Sequence, residues 1–179
     1  SMLKNLNILS FFIAFNLFAQ TSYVQMVSST STGFNLEYTF GEIQVDRVYA
    51  NSENYSRLSV PGLTKPYDIG NPDLPVLSKL IEVPLHGKIT FEVLNSKQKI
   101  VDLAAEGYAD AILPSQPSLF KSQKSTEVPF VLNKATYSKN NYYAQNLITI
   151  ERLGVMRGKA IARIQIAPIA YNAITNELK

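Results

Sequence analysis

The feature that most constrains this chain is the strict alternation of apolar and polar residues along short segments. Residues 34–40 alternate without a break, and residues 89–93 repeat the pattern. Because successive side chains of a β-strand point to opposite faces, a period of two predicts antiparallel strands with one buried face. Ile43 and Val45 resume the alternation after Gly41, and we expect them to form the hairpin partner of residues 34–40.

Connections rich in Gly and Pro separate further strand-like segments. Residues 76–83 lie between Pro75 and Pro84 and have apolar side chains at both odd and even positions. A strand with apolar side chains on both faces is typical of the centre of a sheet, so we predict a central strand here. Residues 147–150 and 160–166 form a last pair, and no convincing helical pattern appears after residue 20. Ten Tyr and nine Phe suit strand faces. We therefore expect an all-β fold, an antiparallel β-sandwich or jelly-roll-like single domain.

The N-terminus is typical of a secretory signal peptide. Lys4 precedes an apolar run over residues 8–18, and Ala19 then offers a cleavage site before Gln20. The run is shorter than the roughly 20 apolar residues of a membrane-spanning helix, and no later segment reads as one. We predict a Sec signal over residues 1–19, with Ser1 as a cloning scar, and an exported domain over residues 20–179 that has no membrane association after signal removal.

The last residues of the chain carry a separate prediction. Residues 171–179 have the pattern of a turn leading into a new strand, and the sequence stops there. A domain that opens a hairpin normally closes it. We therefore expect residues 20–179 to lack one or more final strands.

The composition leaves little material for catalysis. The chain has no Cys, which excludes a cysteine nucleophile and disulfides, and His86 is its one histidine. Every Ser–His–acid or zinc scheme would depend on His86, which lies in a short turn between Leu85 and Gly87. With 17 basic and 14 acidic residues and no basic cluster, nucleic acid is not an expected partner. We predict no enzyme activity and no cofactor.

Calcium is the one metal for which the sequence has candidate ligands. Asp68, Asn71 and Asp73 lie in one segment rich in Gly, Pro and Asn, and calcium takes oxygen ligands. The same residue types also form turns by hydrogen-bonding to their own backbone, and their spacing differs from that of an EF-hand loop. Both interpretations, a calcium site and a hydrogen-bonded turn, stay open.

Three motifs follow one another at characteristic distances. Residues 70–79 read Gly-Asn-Pro-Asp-Leu-Pro-Val-Leu-Ser-Lys and lead to Ile81-Glu82-Val83-Pro84. Pro114-Ser115-Gln116-Pro117 comes next, and Pro168-Ile169-Ala170-Tyr171-Asn172 follows near the end of the chain. In order and spacing these motifs resemble the propeptide of the gingipain-type cysteine peptidases, secreted bacterial enzymes that cut after Arg or Lys.

The resemblance implies a β-sandwich pro-domain that docks on its peptidase, assists folding and blocks the active site until it is removed. The implied partner is the catalytic domain of a cysteine peptidase, encoded downstream in the same precursor. Sec export to the periplasm, then secretion to the outer-membrane surface or the extracellular space, is implied as well. The alternative is a stand-alone secreted adhesion or carbohydrate-binding β-sandwich, which the reading frame after Lys179 would distinguish.

Residues 114–127 form a polar loop that is long for a compact domain. A peptidase specific for Arg or Lys carries an acidic pocket, which a basic side chain of a propeptide can fill. Lys121 and Lys124 are the candidates for this inhibitory side chain. The other interpretation of two lysines in a polar loop is that they keep it soluble.

Overall fold

A computed structural model describes residues 23–30, 33–119 and 128–179 of the chain. Within these ranges it has ten strands and one helical turn, and every ladder between two strands is antiparallel. In chain order the elements are β1 Tyr23–Ser29, β2 Phe34–Thr39, β3 Gln44–Ala50, β4 Glu53–Ser59, β5 Leu77–Val83, β6 Val101–Asp102, α1 Lys134–Tyr137, β7 Ile148–Met156, β8 Lys159–Ile166, β9 Tyr171–Asn172 and β10 Glu177–Leu178.

The strands pair in four groups, which are β1-β2, β3-β4, β5-β8-β7 and β6-β10-β9. Two of the hairpins close through two-residue turns, at Asn51-Ser52 and at Arg157-Gly158. All four turn residues have left-handed φ values, between 48° and 79°. This backbone twist matches that of the flanking strands, so the turns set the register of both hairpins.

One apolar layer forms where the β1-β2 hairpin packs on the β5-β8-β7 sheet. Val24 and Leu36 of the hairpin contact a cluster formed by Leu77, Ile164 and Ile166 of the sheet. Two antiparallel layers that bury their facing sides give the sandwich packing expected from the period of two. The packing confirms the predicted all-β class.

A second apolar core includes residues of the connections that follow β4 and β6. Leu63 packs against both cores and joins them. Tyr171 is the largest of its fully buried side chains. Its buried members are Leu58, Val60, Leu74, Leu103, Ile112, Ile169, Tyr171 and Leu178.

Two expected strand arrangements are wrong. The strand that begins at Gln44 pairs with β4 and not with β2, because the turn at Asn51-Ser52 brings β3 and β4 together. Strand β5 lies at an edge of its sheet and β8 at the centre. The mixed apolar pattern of β5 has another origin: its two ends enter the core while Leu80 faces solvent.

Two local predictions also need correction. Residues 89–93 form no strand, and of this segment only Ile89 packs against a buried cluster, a third one formed by Val83, Ala160 and Ala162. An alternating pattern favours an extended backbone, but a strand also needs a neighbour with which to pair. The short helix α1 was not expected, since four residues are too few to show a helical period.

The turn and strand expected over residues 171–179 are present. Strand β10 lies between β9 and β6, so both of its edges are paired. The predicted signal over residues 1–19 lies outside the described residues. Among those that are described, no helix combines the length and the apolar character needed to cross a bilayer.

We expect the inner and outer faces of β5 to differ sharply in their tolerance of truncation. Leu77→Ala should lower the free energy of unfolding by about 2–5 kcal/mol, because Leu77 is 1% exposed and packs in the sandwich core. Leu80→Ala on the same strand, where the side chain is 67% exposed, should stay within about 0.5 kcal/mol of the parent. Urea unfolding measures both, and equal effects would contradict the sandwich packing.

Candidate functional site

The first two sequence motifs meet in the structure. The segment around Asn71 and Pro72 runs antiparallel to the segment around Pro114. The Gly70 N–H donates to the Ser115 carbonyl at 2.8 Å, and the Ser115 N–H donates to the Asn71 carbonyl at the same distance. The Asp73 N–H donates to the Leu113 carbonyl at 2.9 Å. Residues far apart in the chain therefore form one short ladder at the start of the long polar loop.

The side chain of Gln116 closes this loop. Its Nε2 donates to the Val131 carbonyl at 2.8 Å, and its Oε1 accepts from the Val131 N–H at 2.9 Å. An amide side chain carries one acceptor and a two-proton donor, so it can pair with a backbone residue as a neighbouring strand would. We call the set Gly70, Asn71, Ser115, Gln116, Val131 and Asn133 the stem, since it holds the two ends of residues 117–130 together.

Asn71 connects the stem to helix α1. Its Oδ1 accepts from Asn133 Nδ2 at 2.9 Å and from Thr136 Oγ1 at 2.7 Å. Its Nδ2 donates to Asp68 Oδ1 at 2.9 Å. The Asn133 N–H also donates to the Gly70 carbonyl at 2.8 Å. The Asn71 side chain thus joins the segment around Asp68 to the segment that follows the loop.

All three calcium candidates lie in the described part of the chain. Asp68 and Asn71 are hydrogen-bonded to each other, and Asp68 Oδ2 also accepts from the hydroxyl of Tyr143. Burial, followed by this bond, raises the pKa of the Tyr143 hydroxyl. Asp73 hydrogen-bonds to neither of them. Across the described ranges, no group of three His, Asp or Glu side chains lies close enough to hold a metal ion.

Tyr171 of the third motif hydrogen-bonds to the segment that leads into the stem. The buried Tyr171 hydroxyl accepts from the Ile112 N–H at 3.3 Å and donates to Asn176 Oδ1 at 2.9 Å. The Tyr137 hydroxyl of α1 donates to the Ile112 carbonyl at 2.7 Å. Burial raises the pKa of both phenols, so they stay neutral donors at physiological pH. Ile112 is therefore held on both sides just before the stem begins.

An open cavity of about 390 Å³ lies beside the stem. Asp73, only 5% exposed, lines it, and its Oδ1 has no hydrogen-bond partner in the described part of the chain. Burial raises the pKa of the Asp73 carboxyl, while the charges of Lys65 and Arg57 act in the opposite direction. The lining residues are Arg57, Lys65, Pro66, Tyr67, Asp73, Leu113, Pro114, Ser115, Gln116, Pro117 and Ser118.

The other predicted functional residues lie elsewhere. Lys121 and Lys124 fall in residues 120–127, outside those the structure describes. His86 is exposed in a bend after β5, as its neighbours predicted. Gln116 and Asn71 had no assigned role, because each acts on a partner far along the chain that no local pattern reveals.

Known proteins match this chain over most of its length. The family described as Propeptide_C25 matches residues 18–179. Lys-gingipain from Porphyromonas gingivalis ATCC 33277 is 30% identical over 161 residues, which cover 90% of this chain and 9% of that protein. Gingipain R1 from the same species is 26% identical over 148 residues, or 81% of this chain and 13% of its own length. The chain thus spans a small part of these relatives.

Two solved structures share the fold. One is a structure described as giving insight into the zymogenic latency of gingipain K from Porphyromonas gingivalis. It superposes with a TM-score of 0.81 at 30% identity and covers 90% of this chain and 88% of that one. The other is a complex of the RgpB pro- and mature domains from the same species. It superposes with a TM-score of 0.73 at 19% identity, covering 87% and 76% of the two chains.

We expect the stem to be intolerant of a side chain at Gly70. A Cβ there would lie 3.1 Å from Val131 Cγ1 and 3.2 Å from the Asn133 nitrogen, at a φ of +84°. Gly107→Ala is the matched control, because its φ of +91° imposes similar strain in open space. Each substitution should cost about 1–2 kcal/mol through backbone strain, and Gly70→Ala about 1–3 kcal/mol more through crowding. Urea unfolding measures the free energy of both variants. Equal losses of unfolding free energy would contradict the prediction, because they would show that the stem makes room for the added Cβ.

Asp73 should make the free energy of unfolding fall as pH rises, whereas a carboxyl group with a lowered pKa would make it rise. Its raised pKa means that the folded state binds this proton more tightly than the unfolded state does. Its contribution to stability is therefore fully present below the unfolded pKa of about 4 and is lost as pH rises through the folded value. Asp73→Asn should be more stable than the parent at pH 7, and the gain should vanish near pH 3. Denaturant titrations across this range test the sign, and a less stable Asn variant at pH 7 would contradict it.

Proposed function

This chain belongs to the Propeptide_C25 family, and on that premise we propose that it is the pro-domain of a secreted gingipain-type cysteine peptidase. The domain docks on the catalytic domain, blocks its active site until removal and assists its folding. The partner is the catalytic domain encoded downstream in the same precursor. Sec export and later secretion across the outer membrane deliver the complex to the surface or the extracellular space.

The observation that carries this proposal is the closed stem. A segment that blocks an active site must present its side chains without a large loss of conformational freedom on binding. Gln116 and Val131 hold the two ends of residues 117–130 together, and Asn71 fastens this pair to α1. Two of the three motifs in which the sequence resembles the family contribute to the stem, and the third contacts Ile112 just before it.

The domain itself contributes no catalytic step in this proposal. Hydrolysis by a cysteine peptidase needs a thiolate and a base, whereas this chain has no Cys and its one His is exposed in a bend. The adhesion or carbohydrate-binding alternative has no comparable support, since both curated relatives described above are gingipains.

Within this proposal, Lys121 or Lys124 is the side chain that enters the specificity pocket. Both lie in the segment that the stem closes. A lysine ammonium facing a buried carboxylate makes charge-assisted hydrogen bonds, which are roughly twice as strong as neutral ones. Removing one partner of such a pair typically costs about 2–5 kcal/mol of binding.

The test is an inhibition titration of the catalytic domain of the same precursor with the purified chain. The parent should inhibit stoichiometrically. Lys121→Ala or Lys124→Ala should weaken inhibition at least tenfold, because about 1.4 kcal/mol corresponds to one decade. Lys88→Ala, an exposed lysine in the segment after β5, is the control and should change little.

The two parts of the proposal fail separately. A reading frame without a peptidase domain, or a parent chain that does not inhibit, would refute the pro-domain function. Tight inhibition by both loop variants would leave that function standing and show that another part of the surface blocks the active site.

A further inference from the structure

Two cationic side chains line the cavity beside the stem without an ion-pair partner. Arg57 projects from β4, and Lys65 lies exposed in the connection between β4 and β5. In the part of the chain that the structure describes, the ion pairs are Lys159–Glu82 and Arg163–Glu151, and neither includes these two residues. The Nε atom of Arg57 is buried and also lacks a hydrogen-bond partner.

One carboxyl group, that of Asp73, shares the cavity with these two cations. Asp73 lines the same cavity, but no hydrogen bond or ion pair joins it to Arg57 or Lys65. Burial raises the pKa of its carboxyl group, while the charges of Lys65 and Arg57 act in the opposite direction. Among the described residues that line the cavity, the two cationic side chains therefore outnumber the one carboxyl group.

An exposed aromatic side chain flanks the same cavity. Tyr67 is 81% exposed, although the adjacent Pro66 is buried and fixes the backbone at this point. Tyr and Arg are the residue types enriched in the central, energetically dominant parts of protein interfaces. The cavity also shares Gln116 and Pro117 with the base of the loop, so a protein contacting the loop passes directly beside it.

We propose that this cavity is an anchor site for an acidic side chain of the catalytic domain, which pairs with Arg57 and Lys65 and packs against Tyr67. The proposal rests on the pro-domain function and specifies one of its contacts. A carboxylate is the complementary group, because it accepts two hydrogen bonds from a guanidinium and also neutralises the ammonium. A duplex or a strand of nucleic acid would need a longer track of cations than these two residues provide.

The experiment changes the charge of the cavity and leaves the loop intact. Lys65→Glu reverses the charge of an exposed side chain, and Arg57→Gln removes the second charge while keeping a polar side chain. Lys97→Glu makes the same change in net charge as Lys65→Glu on an exposed lysine that does not line the cavity. Inhibition constants and association rates are measured against the catalytic domain of the same precursor at about 10 and 100 mM salt, between which the Debye length falls from about 30 to 10 Å.

We expect Lys65→Glu to raise the inhibition constant at least tenfold at low salt and to slow association. Its affinity should also depend on salt less steeply than that of the parent, because one attractive pair has become repulsive. Arg57→Gln should weaken inhibition in the same direction, whereas Lys97→Glu should differ from the parent by less than about threefold.

Each other outcome has one meaning. If the parent inhibits and Lys65→Glu behaves as Lys97→Glu does at both salt concentrations, the anchor site is refuted while the pro-domain function stands. If the variants lose a dimer of this chain but inhibit as the parent does, the acidic partner is a second copy and the proposal is also wrong. A parent that does not inhibit refutes the pro-domain function, and the anchor site with it.

Discussion

The side chain of Asn71 is the point at which the separate parts of the site come together. It accepts two hydrogen bonds, from Asn133 and Thr136, and donates one to Asp68. A partly buried amide needs such partners, because an unpaired polar group away from water costs about 1–3 kcal/mol. The two donors follow the long loop, and the Asn71 backbone carbonyl accepts from the Ser115 N–H just before it, so this one residue contacts both flanks of the loop.

Packing must hold this arrangement, since the chain has no Cys and therefore no disulfide. Two apolar cores do so, and Leu63 contacts both. The second core also contains Tyr171, whose hydroxyl reaches Ile112 just before the stem. The position of the stem therefore depends on the same residues that stabilise the fold.

Charge is distributed unevenly around this position. Arg57 and Lys65 line the cavity beside the stem, and Lys121 and Lys124 lie in the loop that the stem closes. Asp73 also lines the cavity, and burial raises the pKa of its carboxyl group against the opposing charges of Lys65 and Arg57. In the pro-domain proposal, the catalytic domain presents acidic groups to these basic side chains. The loop and the cavity would then be two contacts on one electrostatically complementary surface.

The sequence by itself determined the class of the fold, the positions of most strands and the family. The alternation over residues 34–40 corresponds to β2, and residues 160–166 lie within β8, because side-chain period is a local property of the backbone. Residues 89–93 have the same period but form no strand. A strand also needs a neighbouring strand to pair with, and the period of a sequence does not show whether one is available. Tertiary structure alone decided that β5 lies at an edge, and that β10 pairs with β6.

The stem shows most clearly which features the sequence determines and which the tertiary structure decides. The motifs around Asn71 and Gln116 can be read from the sequence, but their contacts with Thr136 and Val131 cannot. Three polar residues lie within six positions of one another: Asp68, Asn71 and Asp73. In the fold, the first two hydrogen-bond to each other and the third lines the cavity. Spacing along a chain restricts which side chains can meet. Which of them do meet depends on how distant segments pack, and that is a property of the folded chain as a whole.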